Sequence, residues 1–396
     1  MKPLALRPEP IHRETLHSFV SRMAAMNRVD TVDFCVDMGF SMKKLIDPNE
    51  EVLNIIAAIG GLDVKSVSTL RAWTAEKSDD VRMIFRGEEF VSRALKNPRV
   101  RGCPICLQED AETDPERPLA AMAMRGEWQL REMSVCVRHK HPLVTLWERK
   151  KPVERFNIGA RLFDVLKDLQ DGKFDLTQTQ PTAYDLWLDQ RLENGHDPTC
   201  LVDNSLYAAT TFCRLLGTEM LRLRNEKHPN DFTYMRAAQR TGFDIASKGN
   251  DAVSDAYKEL AADASSAGDL PNKAFGDLYR SLARAHRNDR AFDGFRHVLW
   301  DRIILVWPVA ANEEILGFTL PERKLHCLLS AAQEAGVGEK FLDQLLVEAG
   351  AYPADDTRPA SRKTFDAVRY AKLIAEIPKL VGPIAMREAM GATQAV

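Results

Sequence analysis

The chain has 396 residues, 45% of them hydrophobic and 28% charged, enough to bury one large core or two to three smaller ones and too apolar to stay disordered. Its formal net charge of −3 gives no overall attraction to nucleic acid or an anionic membrane, so contact with either must come from a local patch or a partner. The start, M-K-P-L-A-L-R-P-E-P, has no apolar signal segment, and the longest apolar run, residues 303–311, is broken by Pro308 and too short to span a membrane.

In chain order the pattern predicts helix nearly everywhere, a mainly α, multi-helical fold with no β-rich domain. Leu16, Phe19, Val20 and Met23 recur at helical spacing over 14–25, and the pattern repeats over 31–38 with Gly39 as its stop. Residues 53–59, Gly60-Gly61 and residues 64–70 outline a helix-turn-helix. A short hairpin is predicted over 122–130, with Trp128 packed beside the cysteine-rich segment. Further helices are predicted over 157–169, 184–192, 206–222, 252–262, 275–285 and 292–304. Their breakers are Asp171-Gly172, the 195–198 turn, Gly242, Gly249-Asn250, the 268–271 turn and Trp307-Pro308.

A second helix-turn-helix outline follows, with Ala331 and Ala332 at the crossing, Gly336 as the turn and Val337 between the helices. Phe341, Leu342, Leu345 and Leu346 form the buried stripe of its second helix. That helix carries Glu339, Asp343 and Glu348 outward against a lone Lys340, a poor surface for phosphate, so a structural or protein-binding pair is the competing reading.

The chemistry concentrates between these regions. Cys103 and Cys106 in C-P-I-C, with Cys136 and His139 in C-V-R-H, make two chelating pairs of the kind that close a tetrahedral Zn²⁺ site. Four protein ligands leave no position for water or substrate, so the one expected Zn²⁺ is structural, in a small zinc knuckle. Pro104 is expected to keep the first loop out of helix. His141 is the alternative fourth ligand to His139. Cys35, Cys200, Cys213 and Cys327 lie in apolar patterns and are expected as buried thiols, as suits a reducing compartment. The expected location is the cytoplasm, at the nucleoid when bound to DNA.

Arg138, Lys140, Arg149, Lys150, Lys151 and Arg155, with Arg131 and Arg161, outnumber the acids around the second pair. They form a candidate DNA-phosphate face, against the alternative of a solvated surface, and Arg99 and Arg101 extend it. No catalytic residue emerges: the chain lacks a phosphate loop ending in Lys-Ser/Thr, a His-Glu-x-x-His helix and a Gly-x-Ser-x-Gly elbow.

The stretches E-T-L-H-S-F-V-S-R-M-A-A-M-N, C-P-I-C-L-x-E-D and C-V-R-H-x-x-x-L resemble the TniQ/TnsD family of transposon target-selection proteins. So do R-A-A-Q-R-T-G-F-D-I-A-S-K-G, F-D-G-F-R-H-V-L-W-D-R-I-I-L and R-K-L-H-C-L-L-S-A-A-Q-E-A-G-V. The resemblance implies a non-enzymatic adaptor that binds target DNA or an RNA-guided CRISPR effector, then recruits an AAA+ ATPase regulator and the transposase; it also allows a homodimer. Many relatives carry a further cysteine pair after the Cys-x-x-His, where this chain reads L-V-T-L-W-E-R-K-K. The alternative reading is a stand-alone sequence-specific transcriptional regulator with a structural zinc. The expected organisation is a helix-turn-helix-like region over 1–98, a zinc module over 99–150 and a helical TniQ-type region over 151–320. A helix-turn-helix-like unit over 321–352 and a helical tail over 353–396 complete it.

Overall fold

The computed structural model describes residues 2–264, 266 and 268–379. It is predominantly helical, with short strands at a few turns. Two compact units divide it, Met1–Thr211 and Phe212–Val396, so the expected boundaries at 98 and 150 fall inside the first, and those at 320 and 352 inside the second. The expected tail beyond residue 379 lies outside the described residues. Among the described residues no helix is long and apolar enough to cross a membrane.

The first unit begins with α1 (Leu16–Met26), α2 (Thr31–Asp37), α3 (Met42–Ile46), α4 (Glu50–Gly60) and α5 (Val64–Ala72). Side chains cap each N-terminus, Thr15, Asp30, Ser41, Asn49 and Asp63 accepting from first-turn amides that have no partner within the helix. Gly61, at φ 63°, closes the α4–α5 turn as expected, in a conformation that favours glycine. Leu16, Phe19, Val20, Met23, Leu45, Val52 and Ile56 form the shared core.

A three-stranded antiparallel sheet that the helical reading did not anticipate follows: β1 (Glu76–Lys77), β2 (Arg82–Phe85) and β3 (Glu88–Val91). Arg86 and Gly87 both take positive φ, the geometry of a two-residue hairpin turn that matches strand twist. Met83, Phe85 and Phe90 point inward.

Then come α6 (Ser92–Leu95), β4 (Arg99–Gly102), α7 (Pro104–Thr113) and α8 (Pro118–Ala121). They are followed by β5 (Val135–Cys136), β6 (His141–Pro142), β7 (Val144–Glu148), α9 (Pro152–Phe156), α10 (Ile158–Gln170) and α11 (Ala183–Asn194). In place of the expected hairpin over 122–130, residues Gly126–Gln129 form a 3₁₀ turn. Gly126 there lies against Trp73, where a Cβ would come 2.2 Å from the Trp73 carbonyl oxygen, and Arg125 before it makes an isolated antiparallel bridge to Glu14. The segment V-T-L-W-E is β7, antiparallel to β4 with Arg99 opposite Glu148 and Gly102 opposite Val144.

The division between units falls in α12 (Leu206–Leu223), which is followed by α13 (Asp231–Ala246), α14 (Asn250–Asp263), α15 (Pro271–Ala274), α16 (Gly276–Arg280) and α17 (Asp293–Val306). Gly242, read as a breaker, sits inside α13. A Cβ on it would meet the Cys213 carbonyl oxygen at 1.7 Å, and one on Gly217 the Ala238 carbonyl oxygen at 1.8 Å. The two glycines let α12 and α13 cross backbone to backbone, and packing overrides propensity.

The second unit ends with β8 (Glu314–Ile315), β9 (Phe318–Thr319), β10 (Leu325–Cys327), α18 (Leu328–Ala335), α19 (Glu339–Glu348), β11 (Thr364–Asp366) and α20 (Ala371–Glu376). Gly336, at φ 64°, makes the expected turn between α18 and α19. Ala331, Ala332, Leu342 and Leu346 are buried, whereas Phe341 is 48% exposed and leaves the expected stripe. Cys35, Cys213 and Cys327 are buried; Cys200, in the turn after α11, is exposed, contrary to expectation, because the helix ends at Asn194.

Candidate metal centre

Strand β4 delivers Cys103 to the N-cap of α7 in extended conformation (φ −91°, ψ 116°), and Pro104 is the first helical residue. Pro104 therefore starts the helix it was expected to prevent. Its fixed φ suits the first turn, and the N–H it lacks would have had no helical partner there. Cys106 lies in that same turn.

The other pair rides on a hairpin, Cys136 opposite His141, with His139 in the turn and Lys140 at φ 54° closing it. The two halves of the site thus come from a helix start and a β-turn.

Cys103, Cys106, Cys136 and His139 present donor atoms that all lie within 4.8 Å of one another. Sγ of Cys106 and Sγ of Cys136 are 3.8 Å apart, and Nδ1 of His139 is 3.4, 3.2 and 3.7 Å from the sulfurs of Cys103, Cys106 and Cys136. A tetrahedral ion with bonds of roughly 2.3 Å to sulfur and 2.0 Å to nitrogen requires edges of about 3.5–3.8 Å, so the donor set fits one. Hydrogen bonds from Cys103 and Cys106 hold the Cys136 thiol far below its ordinary range, while bonds to Cys103 and Cys136 together with burial push Cys106 up. A cation that displaces the shared protons relieves that crowding of sulfurs.

His141 is not placed to serve. Its Nδ1–H donates to the Pro142 carbonyl at 2.7 Å and its Nε2 accepts the Leu176 N–H at 2.8 Å, so both ring nitrogens are committed. His139 has the opposite arrangement, with Nδ1 toward the sulfurs and Nε2 3.1 Å from Oε1 of Glu109. Since a carboxylate only accepts, Nε2 carries the proton and Nδ1 keeps its lone pair.

Behind the cluster, Asp110 turns inward. Its carboxylate accepts both terminal nitrogens of buried Arg125 and the Ala123 N–H at 3.0 Å, which fixes the register of α7. Trp128, buried as expected near the site, packs on Gly102, where a Cβ would come 3.1 Å from its ring. Glu109 and Asp110 were not singled out in the sequence. The signal was there: Cys103, Cys106 and Glu109 recur every three residues, the spacing of one helix face.

The basic residues separate into groups. Lys140 and Lys150 are exposed without an ion-pair partner among the described residues, as are Lys96 and Arg131, which sequence reading left out or at the margin. Arg131 N–H bonds to the Ala94 carbonyl and Arg149 N–H to the Pro98 carbonyl, which draws these segments together beside α6 and β4. Arg138 pairs with Glu109 at 2.7 Å, Lys151 with Glu154 at 3.2 Å, and Arg149 lies 3.9 Å from Asp164. Arg155 is buried, its guanidinium donating to the Arg149 and Lys150 carbonyls at 3.0 and 2.8 Å, so it braces the loop and does not face solvent as a phosphate contact would.

Comparison with known families places residues 5–143 in the family described as TniQ. The matched stretch holds α1, the whole Cys103–Cys106–Cys136–His139 cluster and the elements between them. No curated protein matches the chain.

Proposed function

We propose that this chain, which matches the TniQ family over residues 5–143, has a general role in selecting targets for transposition and acts as a non-enzymatic adaptor built around one structural Zn²⁺. In this reading Cys103, Cys106, Cys136 and His139 hold the ion. The ion supplies no chemistry beyond fixing α7 against the 136–141 hairpin, since all four positions are taken by protein. The observation that carries the proposal is that this closed cluster lies wholly within the matched TniQ stretch, bolted to α1.

Around that scaffold, Lys96, Arg131, Lys140, Arg149, Lys150 and Lys151 offer a face for target-DNA phosphates, sequence-independent and salt-sensitive. The helical surfaces recruit the AAA+ ATPase regulator and the transposase, and an RNA-guided CRISPR effector or a second copy of the chain are further partners. Against the stand-alone regulator stands the second helix-turn-helix-like pair, whose α19 shows Glu339 and Glu348 to solvent.

A reconstituted integration assay with an AAA+ ATPase and transposase tests this. Targeted insertion should require the chain, and the chain alone should show neither ATP hydrolysis nor DNA cleavage. Turnover by the isolated chain that a point mutation abolishes, or targeting unaffected by its omission, overturns the reading.

A further inference from the structure

We propose that Glu109 is the positioning residue of the metal centre: it fixes the ring of His139 so that Nδ1 faces the ion, and it does so independently of its ion pair with Arg138. The inference rests on the metal reading above and adds a residue to it.

Three observations support it. First, α7 sets Cys103, Cys106 and Glu109 at three-residue intervals, so one helix face supplies two sulfurs and the carboxylate that backs the histidine. Second, the carboxylate is split between two partners. Oε1 lies 3.1 Å from His139 Nε2, and Oε2 lies 2.7 Å from Arg138 Nη2. Third, the neighbouring carboxylate of Asp110 is already committed to Arg125 and the Ala123 amide, so it cannot take over if Glu109 is lost.

The physical consequence follows from the turn. His139 sits in a four-residue reversal between two-residue strands, and Glu109 is the partner of its Nε2. An imidazole free to rotate about χ1 and χ2, or free to move its proton to Nδ1, presents a ligand atom only part of the time. A carboxylate on Nε2–H removes that freedom and raises the basicity of Nδ1 toward a cation. Arg138, two residues after Cys136, draws the same carboxylate from the solvent side.

The test measures Zn²⁺ affinity by competition with a chromophoric chelator and Co²⁺ absorption in the full chain, with circular dichroism to confirm folding. Glu109→Gln, which keeps size and helix propensity, and Glu109→Ala should each weaken metal binding by about 10- to 100-fold, the range typical of lost outer partners of ligating histidines. The sulfur-to-cobalt bands should persist, and the His139 Nε2–H signal in NMR should lose its exchange protection. Glu112→Gln, exposed on the same helix, should change nothing. Arg138→Met should leave affinity within about threefold of the parent chain, a change far smaller than the loss typical of an outer partner. Parental affinity in Glu109→Ala overturns the inference while leaving the metal site standing. An equal loss in Arg138→Met also overturns it, since the ion pair would then be the cause. Failure of the parent chain to bind either metal defeats the metal reading itself and this inference with it.

Discussion

Ser18 Oγ accepts the backbone N–H of Met124 at 2.8 Å and donates to Glu14 Oε1 at 2.9 Å, both bonds buried. Glu14, Thr15, Ser18 and Arg22 of E-T-L-H-S-F-V-S-R thus face the segment that backs the metal centre. Thr15 N–H bonds to the Met124 carbonyl at 3.1 Å, and Arg22 reaches the Ala120 carbonyl at 2.9 Å and Glu14 at 2.7 Å. This bolt makes the helical start and the cysteine module one compact unit. Ser18→Ala leaves the Met124 N–H buried without a partner and should destabilise that unit by about 1–3 kcal/mol. The urea midpoint of its unfolding transition checks this, and an unchanged midpoint would show that the bond contributes no net stability.

Asp110 and Arg125 are buried together at the base of α7. Removing one member of such a pair strands the other charge, so Asp110→Ala should cost about 3–5 kcal/mol. Replacing both by apolar residues should cost much less, and equal losses in the single and double variants would contradict the pairing.

Gly242→Ala should disrupt the second unit, because the added carbon would need the space of the Cys213 carbonyl. Overpacking of this kind costs about 1–3 kcal/mol. Hydrogen exchange read by mass spectrometry should quicken in α12 and α13 while α1 keeps its protection; unchanged exchange in both helices would rule out the close crossing.

His17 gives the first unit an acid-sensitive group. Burial holds its imidazole low, at about 4, against a hydrogen bond to Ile46 that raises it, and its Nε2 has no hydrogen-bond partner. A histidine lowered in the folded state is neutral there while the unfolded chain takes up a proton, so stability falls as pH drops from about 6.5 toward 4. Glu127 works the other way, since burial raises its carboxyl to about 7 and folding there favours the protonated form as pH falls through that value. Comparing the parent chain with His17→Asn isolates the histidine: between pH 7 and pH 5 the parent should lose about 2 kcal/mol more than the variant. Parallel stability curves would show that His17 is not titrating differently in the two states.

Helical periodicity made most long helices legible, and Cys-x-x-Cys with Cys-x-x-His made the metal cluster legible, because both signals are local. Short strands were not: β2 and β3 have four residues each, and only the Arg86-Gly87 turn marked them. Gly242 misled because its meaning lies in a helix crossing that no window of sequence contains. Arg155 misled for the same reason. Its charge suggested a phosphate contact, whereas the fold turns it onto carbonyls of its own loop. Glu109 and Asp110 stood side by side in C-P-I-C-L-Q-E-D, and only the structure separates one that backs His139 from one that anchors α7.

Charge reversal at Lys140 and Lys150 should weaken DNA binding and reduce the slope of log affinity against log salt, by roughly one unit for each phosphate that is no longer neutralised. Charge reversal at Arg155 should instead lower stability. DNA binding unmoved by the lysine changes would identify the face as solvated surface only.

Elemental analysis of the purified full chain tests the zinc-held scaffold most directly. The expected result is one zinc per chain, lost together with protection of the 136–141 hairpin in Cys106→Ser. A parent chain that binds no metal, or a Cys106→Ser variant that keeps a full equivalent of zinc, would contradict it.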